Sequence, residues 1–196
     1  VEITLGKEMI RTPVDDAIGY IKKTVIGDVM NIKKVRVDKE GTGMGWGAVY
    51  AQYLESMDQI SGQGNGLSVS RQLYKGDEAL NESVPLKVGD KITVRLTVKA
   101  DRDMDFVQIK DDRAACMEPL QAVSGFRWGN GLGYYQATKD ASTQFFIDQM
   151  RKGTYVIEYQ VYVNRTGEYQ AGIATVQSAY APEFGGHTGG YRVMVE

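Results

Sequence analysis

The stretch Ile92-Thr93-Val94-Arg95-Leu96-Thr97-Val98 puts an apolar side chain at every even position and a polar one at every odd position. A period of two is what a half-buried β-strand requires, because successive side chains leave the pleat on opposite faces. Gly89-Asp90 supplies the turn before it. Further along, Tyr155-Val156-Ile157-Glu158-Tyr159-Gln160-Val161-Tyr162-Val163 repeats the pattern with its odd positions inward and Gly153 at its mouth. Residues 172–180 and Tyr191-Arg192-Val193-Met194-Val195 give two more strands. Weaker ones fall at residues 106–110, 122–128, 134–138 and 144–147, punctuated by Gly129-Asn130-Gly131 and Lys139-Asp140-Ala141. Seven or eight short strands with a turn about every tenth residue predict an antiparallel β-sandwich over residues 84–196.

Residues 1–80 are less regular. Residues 18–26 and 31–37 read as strands, as does Gly45-Trp46-Gly47-Ala48-Val49-Tyr50-Ala51-Gln52-Tyr53. Residues 54–60 fit one helical turn, and Ser61-Gly62-Gln63-Gly64-Asn65-Gly66 reads as a flexible polar loop. Residues 67–74 alternate again. These are too few strands to close a sandwich, so residues 1–80 are expected to be a partial second β-domain. The chain opens on Val1 with no charged-then-apolar leader, which suggests a piece of something longer or a mature chain.

Composition narrows the function. Of 196 residues, 23 are basic and 25 acidic, for a formal net charge of -2. Residues 1–80 hold 10 basic and 11 acidic side chains and residues 81–196 hold 13 and 14, so no charged tail is hidden by averaging. Binding of nucleic acid through phosphates calls for a basic excess that is missing here. No apolar run approaches the roughly 18 residues of a membrane helix, so no membrane insertion by this segment is expected. One cysteine precludes an intrachain disulfide, and one histidine beside it makes a structural metal site or a bound cofactor unexpected.

Candidate chemistry is sparse. His187 lies in Gly185-Gly186-His187-Thr188-Gly189-Gly190, read as a mobile loop that holds an imidazole poorly, so no catalytic residues are assigned. Cys116 reads as a buried thiol. An internal thioester needs glutamine three residues after the cysteine, and Pro119 stands there. Asp101, Asp103, Asp105 and Asp112 fall at the first, third, fifth and twelfth places of a calcium loop, but Phe106 occupies the sixth, where glycine is needed to turn. Asp101, Arg102, Asp103, Asp111, Asp112 and Arg113 are instead expected to form a polar cluster, with the arginines pairing the acids at a strand end. Trp46, Trp128, Tyr134 and Tyr135 are candidate interaction aromatics. Adjacent Tyr134 and Tyr135 must face opposite ways, which leaves one outside. Asn81-Glu82-Ser83 and Asn164-Arg165-Thr166 match the glycosylation acceptor pattern. Gly129-Asn130-Gly131-Leu132-Gly133 does not lead from a strand into a helix and is not a nucleotide loop.

The string Val98-Lys99-Ala100-Asp101-Arg102-Asp103-Met104, then Asp111-Asp112-Arg113-Ala114-Ala115 and Glu118-Pro119-Leu120, resembles the C-terminal macroglobulin-like domain of bacterial alpha-2-macroglobulins. Gly125-Phe126-Arg127-Trp128, Gly133-Tyr134-Tyr135-Gln136-Ala137-Thr138-Lys139-Asp140, Lys152-Gly153-Thr154-Tyr155 and Tyr180-Ala181-Pro182-Glu183-Phe184 continue the resemblance in order. Upstream, Trp46-Gly47-Ala48-Val49-Tyr50 with Gln52-Tyr53 is similar to the segment that follows the helical thioester-type domain and finishes a CUB-like β-domain. The resemblance implies an immunoglobulin-like, macroglobulin-like sandwich at 84–196 and a partial CUB-like region at 1–80. It also implies a periplasmic or cell-surface protein that traps proteases after they cut a bait segment. In that reading this chain is a non-catalytic module whose partners are neighbouring domains and, through the whole parent, target proteases. The alternative reading is a carbohydrate-binding or adhesive sandwich using Trp128, Tyr134 and Tyr135.

Overall fold

The structure, a computed structural model, describes residues 2–5, 8–11, 22, 24–27, 32, 34–50, 52–81 and 84–196. The chain divides into two compact units, Val1–Gln52 and Tyr53–Glu196. Every named strand pair is antiparallel, and no α-helix occurs among the described residues.

In the first unit, β1 (Glu2–Leu5) lies between β2 (Glu8–Arg11) and β3 (Val35–Asp38). In backbone register Ile3 pairs with Ile10 of β2 and with Val37 of β3. The strand expected at 31–37 is realised only as β3, residues 31 and 33 lying outside the described set. The strand expected at 18–26 lies largely outside it too, and residues 22 and 24–26 are not in a strand. The strand expected at 45–53 does not form: residues 44–50 carry no ladder, and Trp46 is 92% exposed. Gly45, Gly47 and Ala48 weaken any strand there, since they bring backbone entropy and little to pack.

The second unit is the sandwich. Its strands are β4 (Gln63–Asn65), β5 (Leu67–Lys75), β6 (Glu78–Ala79), β7 (Lys91–Ala100), β8 (Met104–Asp112), β9 (Met117–Pro119), β10 (Gly125–Gly129), β11 (Leu132–Thr138), β12 (Ser142–Met150), β13 (Gly153–Val163), β14 (Gly167–Ala171), β15 (Ala174–Ser178), β16 (Gly185–His187) and β17 (Tyr191–Val195). One hydrogen-bonded ladder runs β10-β11-β12-β8-β15-β16-β4-β5-β7-β13-β9, with β6 on β5, while β14 and β17 form a separate ribbon. The ladder folds over on itself. β10, β11, β12, β8 and β15 make one layer, and β5, β7, β13 and β9 make the other. Phe145 of β12 meets Tyr159 of β13 across the gap, ring centroids 5.9 Å apart.

The core follows the period that the sequence displays. Ile92, Val94, Leu96 and Val98 are buried, as are Ile157, Val161 and Val163 opposite their layer partners. Val107, Ile109, Phe145, Ile147 and Val176 fill the other face. Each such side chain contributes about 1.5–3 kcal/mol on leaving water. Asn130 and Gly131, with φ of 52° and 76°, make the two-residue turn between β10 and β11 whose twist suits a hairpin.

Three expectations need correction. The sandwich begins well before residue 84: β5 pairs with β7 from Leu67–Ala100 to Tyr74–Thr93, and the compact unit starts at Tyr53. Gly76-Asp77 is a turn within the unit, joining β5 to β6. The loop at 61–66 contains β4, and the glycine loop around His187 contains β16, which pair with each other and carry the ladder between layers. Glycine suits this crossing. A Cβ on Gly186 would sit 2.7 Å from the Leu67 carbonyl and 2.8 Å from that of Gln63. The helical turn expected at 54–60 is a 3-10 turn at Met57–Gln59.

Candidate functional site

The charged cluster inside the sandwich is built by alternation. On β5, inward positions are Leu67, Val69 and then Arg71. On β8 they are Val107, Ile109 and then Asp111; on β13, Ile157 and then Tyr159. The two layers thereby bring a cation, an anion and a phenol together. Arg71 Nη1 donates to Asp111 Oδ1, and Tyr159 Oη donates to Asp111 Oδ2 at 2.8 Å. Arg71 Nη2 donates to the Gly172 carbonyl at 2.6 Å, and Nη1 also reaches that of Asp112 at 3.3 Å. The guanidinium lies 4.4 Å from the ring centroid of Tyr191. The ion-paired side chains are 4% and 1% exposed.

The electrostatics follow from burial. Burial pushes the Asp111 carboxyl up, against the pull of the Arg71 guanidinium and the Tyr159 hydroxyl. Burial also opposes the Arg71 cation, and Asp111 together with Tyr191 and Tyr159 more than offsets it. The Tyr159 and Tyr191 phenols are pushed up, chiefly by burial. This buried ion pair links β5 of one layer to β8 of the other.

The six residues expected as one polar cluster occupy the two ends of β8. At the β7–β8 turn, Asp101 pairs with Arg102 at 2.9 Å, and Arg102 stacks 4.7 Å from the Phe184 ring centroid. Asp103 accepts the Lys152 backbone N–H at 2.7 Å. At the far end, Asp112 pairs with Lys110 at 2.9 Å. Arg113 pairs with no acid among the described residues. It donates to Thr143 Oγ1 at 2.7 Å and to the carbonyls of Lys139 and Asp140. The pairing expected for Arg113 is thereby replaced by a clamp on the β11–β12 turn. The calcium-like spacing is pulled apart because extended β8 separates Asp101, Asp103 and Asp105 at its start from Asp112 at its end. Among the described residues, no group of three or more His, Cys, Asp or Glu could hold a metal ion. Phe106, inside β8, adopts a φ of 52° and meets Tyr180 edge-on at 5.1 Å.

The aromatics separate as well. Tyr134 turns inward onto Phe145, centroids 5.6 Å apart, and Tyr135 turns outward against Phe126 at 5.1 Å. Trp128 and Phe126 are each 79% exposed. Trp128, Tyr134 and Tyr135 therefore do not form one flat strip for a sugar, and the Phe126–Tyr135 pair meets at 76°. Cys116 is buried, which pushes its thiol up. His187 Nδ1 donates to the Thr188 carbonyl at 3.0 Å. Asn164 Nδ2 is engaged with Glu118 Oε1 at 3.3 Å, and Glu82 and Ser83 of the other acceptor pattern lie outside the described residues.

Arg71, Tyr159, Tyr191 and Phe126 were not singled out from sequence. The signal for the first was present: an arginine at an inward place in an alternating strand needs an acid at an inward place elsewhere.

Comparison with known proteins agrees with this architecture. Residues 66–183 match the family model of the bacterial alpha-2-macroglobulin MG10 domain. A solved Salmonella alpha-2-macroglobulin reacted with methylamine superposes with a TM-score of 0.59 at 19% identity, covering 69% of this chain and 10% of that one. Trypsin-activated alpha-2-macroglobulin from Escherichia coli gives 0.59 at 15% identity, covering 70% and 11%. Among curated proteins, circularly permutated Ras protein 2 of Dictyostelium discoideum is 25% identical over 166 residues, 81% of this chain and 4% of that protein. The chain thus spans a small part of the relatives it matches. No helix among the described residues is long and apolar enough to cross a membrane. On the match that runs from Gly66 through residue 183, the chain belongs to the bacterial alpha-2-macroglobulin MG10 domain family.

Proposed function

We propose that this chain works as a non-catalytic, C-terminal module of an alpha-2-macroglobulin-like protease inhibitor in the periplasm or at the cell surface. The observation that carries this reading is the family match across the sandwich core, residues 66–183. The parent protein closes on a protease that has cut its bait, and this module supplies a rigid body for neighbouring domains to pack against. Rigidity is what the fold offers: two layers joined in one ladder and pinned by Arg71 and Asp111. Residues 1–52 belong, in this reading, to a CUB-like domain completed by other parts of the parent. The exposed Trp46 then faces that domain.

The test uses both the full open reading frame and the 196-residue chain. Treated with trypsin, the full protein is expected to shield the protease from a large protein substrate while a small chromogenic peptide is still cleaved. The isolated chain at molar excess is expected to leave both activities unchanged. Inhibition by the isolated chain refutes the proposal, and so does a reading frame without several β-domains upstream of Val1.

A further inference from the structure

The ladder has two ends, and they differ. β9 is three residues long and closes with Pro119, which offers no N–H. β10, at the other end, is five residues with neither proline nor lysine. Its hairpin turn at Asn130-Gly131 pairs Gly129 with Leu132. In an antiparallel ladder alternate residues bond inward, so Gly129, Arg127 and Gly125 bond to β11. Phe126 and Trp128 then turn their backbone N–H and C=O groups to the free side. Among the described strands, β10 pairs with β11 alone.

The side chains say what fits there. Phe126 and Trp128 stand exposed on the outer face, and Arg127 lies between them on the opposite face. Arg127 is the sole charged side chain from Leu120 to Thr138. Its guanidinium donates to the carbonyls of Phe126 at 3.2 Å and Val123 at 3.3 Å, along the free edge, and to no carboxylate among the described residues. An incoming strand that alternates apolar, acidic, apolar would cover Phe126 and Trp128 with its apolar side chains. It would also give Arg127 a carboxylate in place of two backbone oxygens. A second copy of this strand is a poorer occupant, because antiparallel pairing centred on Arg127 sets arginine against arginine.

We propose that the free edge of β10 is a strand-addition site for an extended peptide segment carrying an acidic residue between two apolar ones. Arg127 is the residue that selects the acid, and Phe126 and Trp128 hold the flanking side chains. This proposal does not depend on the inhibitor reading.

The experiment is amide hydrogen exchange and NMR titration of the full chain with capped Thr-Val-Glu-Val-Thr, alongside peptides with Gln or Lys at the central place and one with Pro in place of both valines, whose N–H groups would otherwise bond to β10. Slowed exchange at the Phe126 and Trp128 amides is expected with the Glu peptide, which should bind about fivefold tighter than the Gln peptide, the scale of an exposed ion pair. The Pro peptide should give no protection. In Arg127→Glu the preference should reverse, so that the Lys peptide binds more tightly than the Glu peptide. The proposal is overturned by an absence of protection at Phe126 and Trp128, by protection centred elsewhere, or by equal affinity for the Glu and Lys peptides. Protection that rises with protein concentration alone would mean that a second copy is the occupant, which also overturns it.

Discussion

Replacing Arg71 by methionine tests whether the two layers are held in register by charge. The side chain is 4% exposed and makes the pair with Asp111 as well as bonds to the Gly172 and Asp112 carbonyls. Methionine keeps most of the volume and removes every donor. Asp111 then remains buried with Tyr159 as its partner. Breaking one side of a buried ion pair costs about 3–5 kcal/mol, because the abandoned charge is not rehydrated. Against a typical domain stability of about 5–15 kcal/mol, that is a large share. Urea unfolding followed by far-UV circular dichroism measures it, with the slope checked for constancy. Tryptophan fluorescence suits less well, since Trp46 and Trp128 are exposed already. The triple change Arg71→Met, Asp111→Leu, Tyr159→Phe removes the stranded charge and hydroxyl together, and is expected to recover most of the loss. A penalty for the single change below about 1 kcal/mol, or a triple variant as weak as the single, refutes the reasoning.

The same variant carries a pH signature. Burial already pushes the Asp111 carboxyl up, with Arg71 pulling it back. Without Arg71 the folded-state value rises further above that of the unfolded chain. The folded protein then binds a proton that the unfolded chain has released, so stability falls as pH rises through that interval. The deficit of Arg71→Met relative to the parent should therefore be smallest in acid and grow toward neutrality.

Three further outcomes are expected. Phe145→Ala empties the place where the layers meet and should cost about 3–5 kcal/mol in the same urea assay. Gly186→Ala drives a methyl toward the Leu67 and Gln63 carbonyls and should cost about 1–3 kcal/mol, with amide exchange quickening at 63–67 and 185–187 before the rest of the sheet. Arg192 donates to Asp58 at 2.7 Å and holds its carboxyl below the ordinary carboxylate range. That contribution is present above the unfolded value and is lost as pH falls through the depressed one. A carboxyl titration by NMR should show it, and Asp58→Asn should speed exchange around the 3-10 turn at Met57–Gln59.

The strands that could be read from sequence are those whose side chains alternate strictly. Residues 92–98 and 155–163 display in their residues the pattern that their burial shows. The polar cluster was legible in part. Asp111 drew attention as an acid, but its partner is 40 positions away on β5, and no local pattern states that distance. Asp112, its neighbour in sequence, points to another partner because consecutive strand residues face opposite ways, and Arg113 lies just beyond the end of β8. The strand expected around Trp46 shows the opposite failure, since aromatic composition there had no ladder to join among the described residues.

Glycine-rich β4 and β16 were illegible for a physical reason that bears on how the sheet is finished. Three residues of Gln63-Gly64-Asn65 or Gly185-Gly186-His187 carry no apolar alternation, so nothing local favours a strand. Their strand state is imposed by the edges of β5 and β15, which would otherwise be left open. Only a residue without a Cβ lets these backbones approach as closely as Gly186 does the Gln63 carbonyl, so the cue for a loop and the requirement of the crossing are the same glycine. Both strands lie just beyond the ends of the family match at residues 66 and 183. Once they close the fold-over, the main path of the long ladder ends, among the described residues, at β9 and β10. Proline blunts the first. The second is covered by one arginine side chain lying on its own carbonyls, a guard that an acidic strand can draw away.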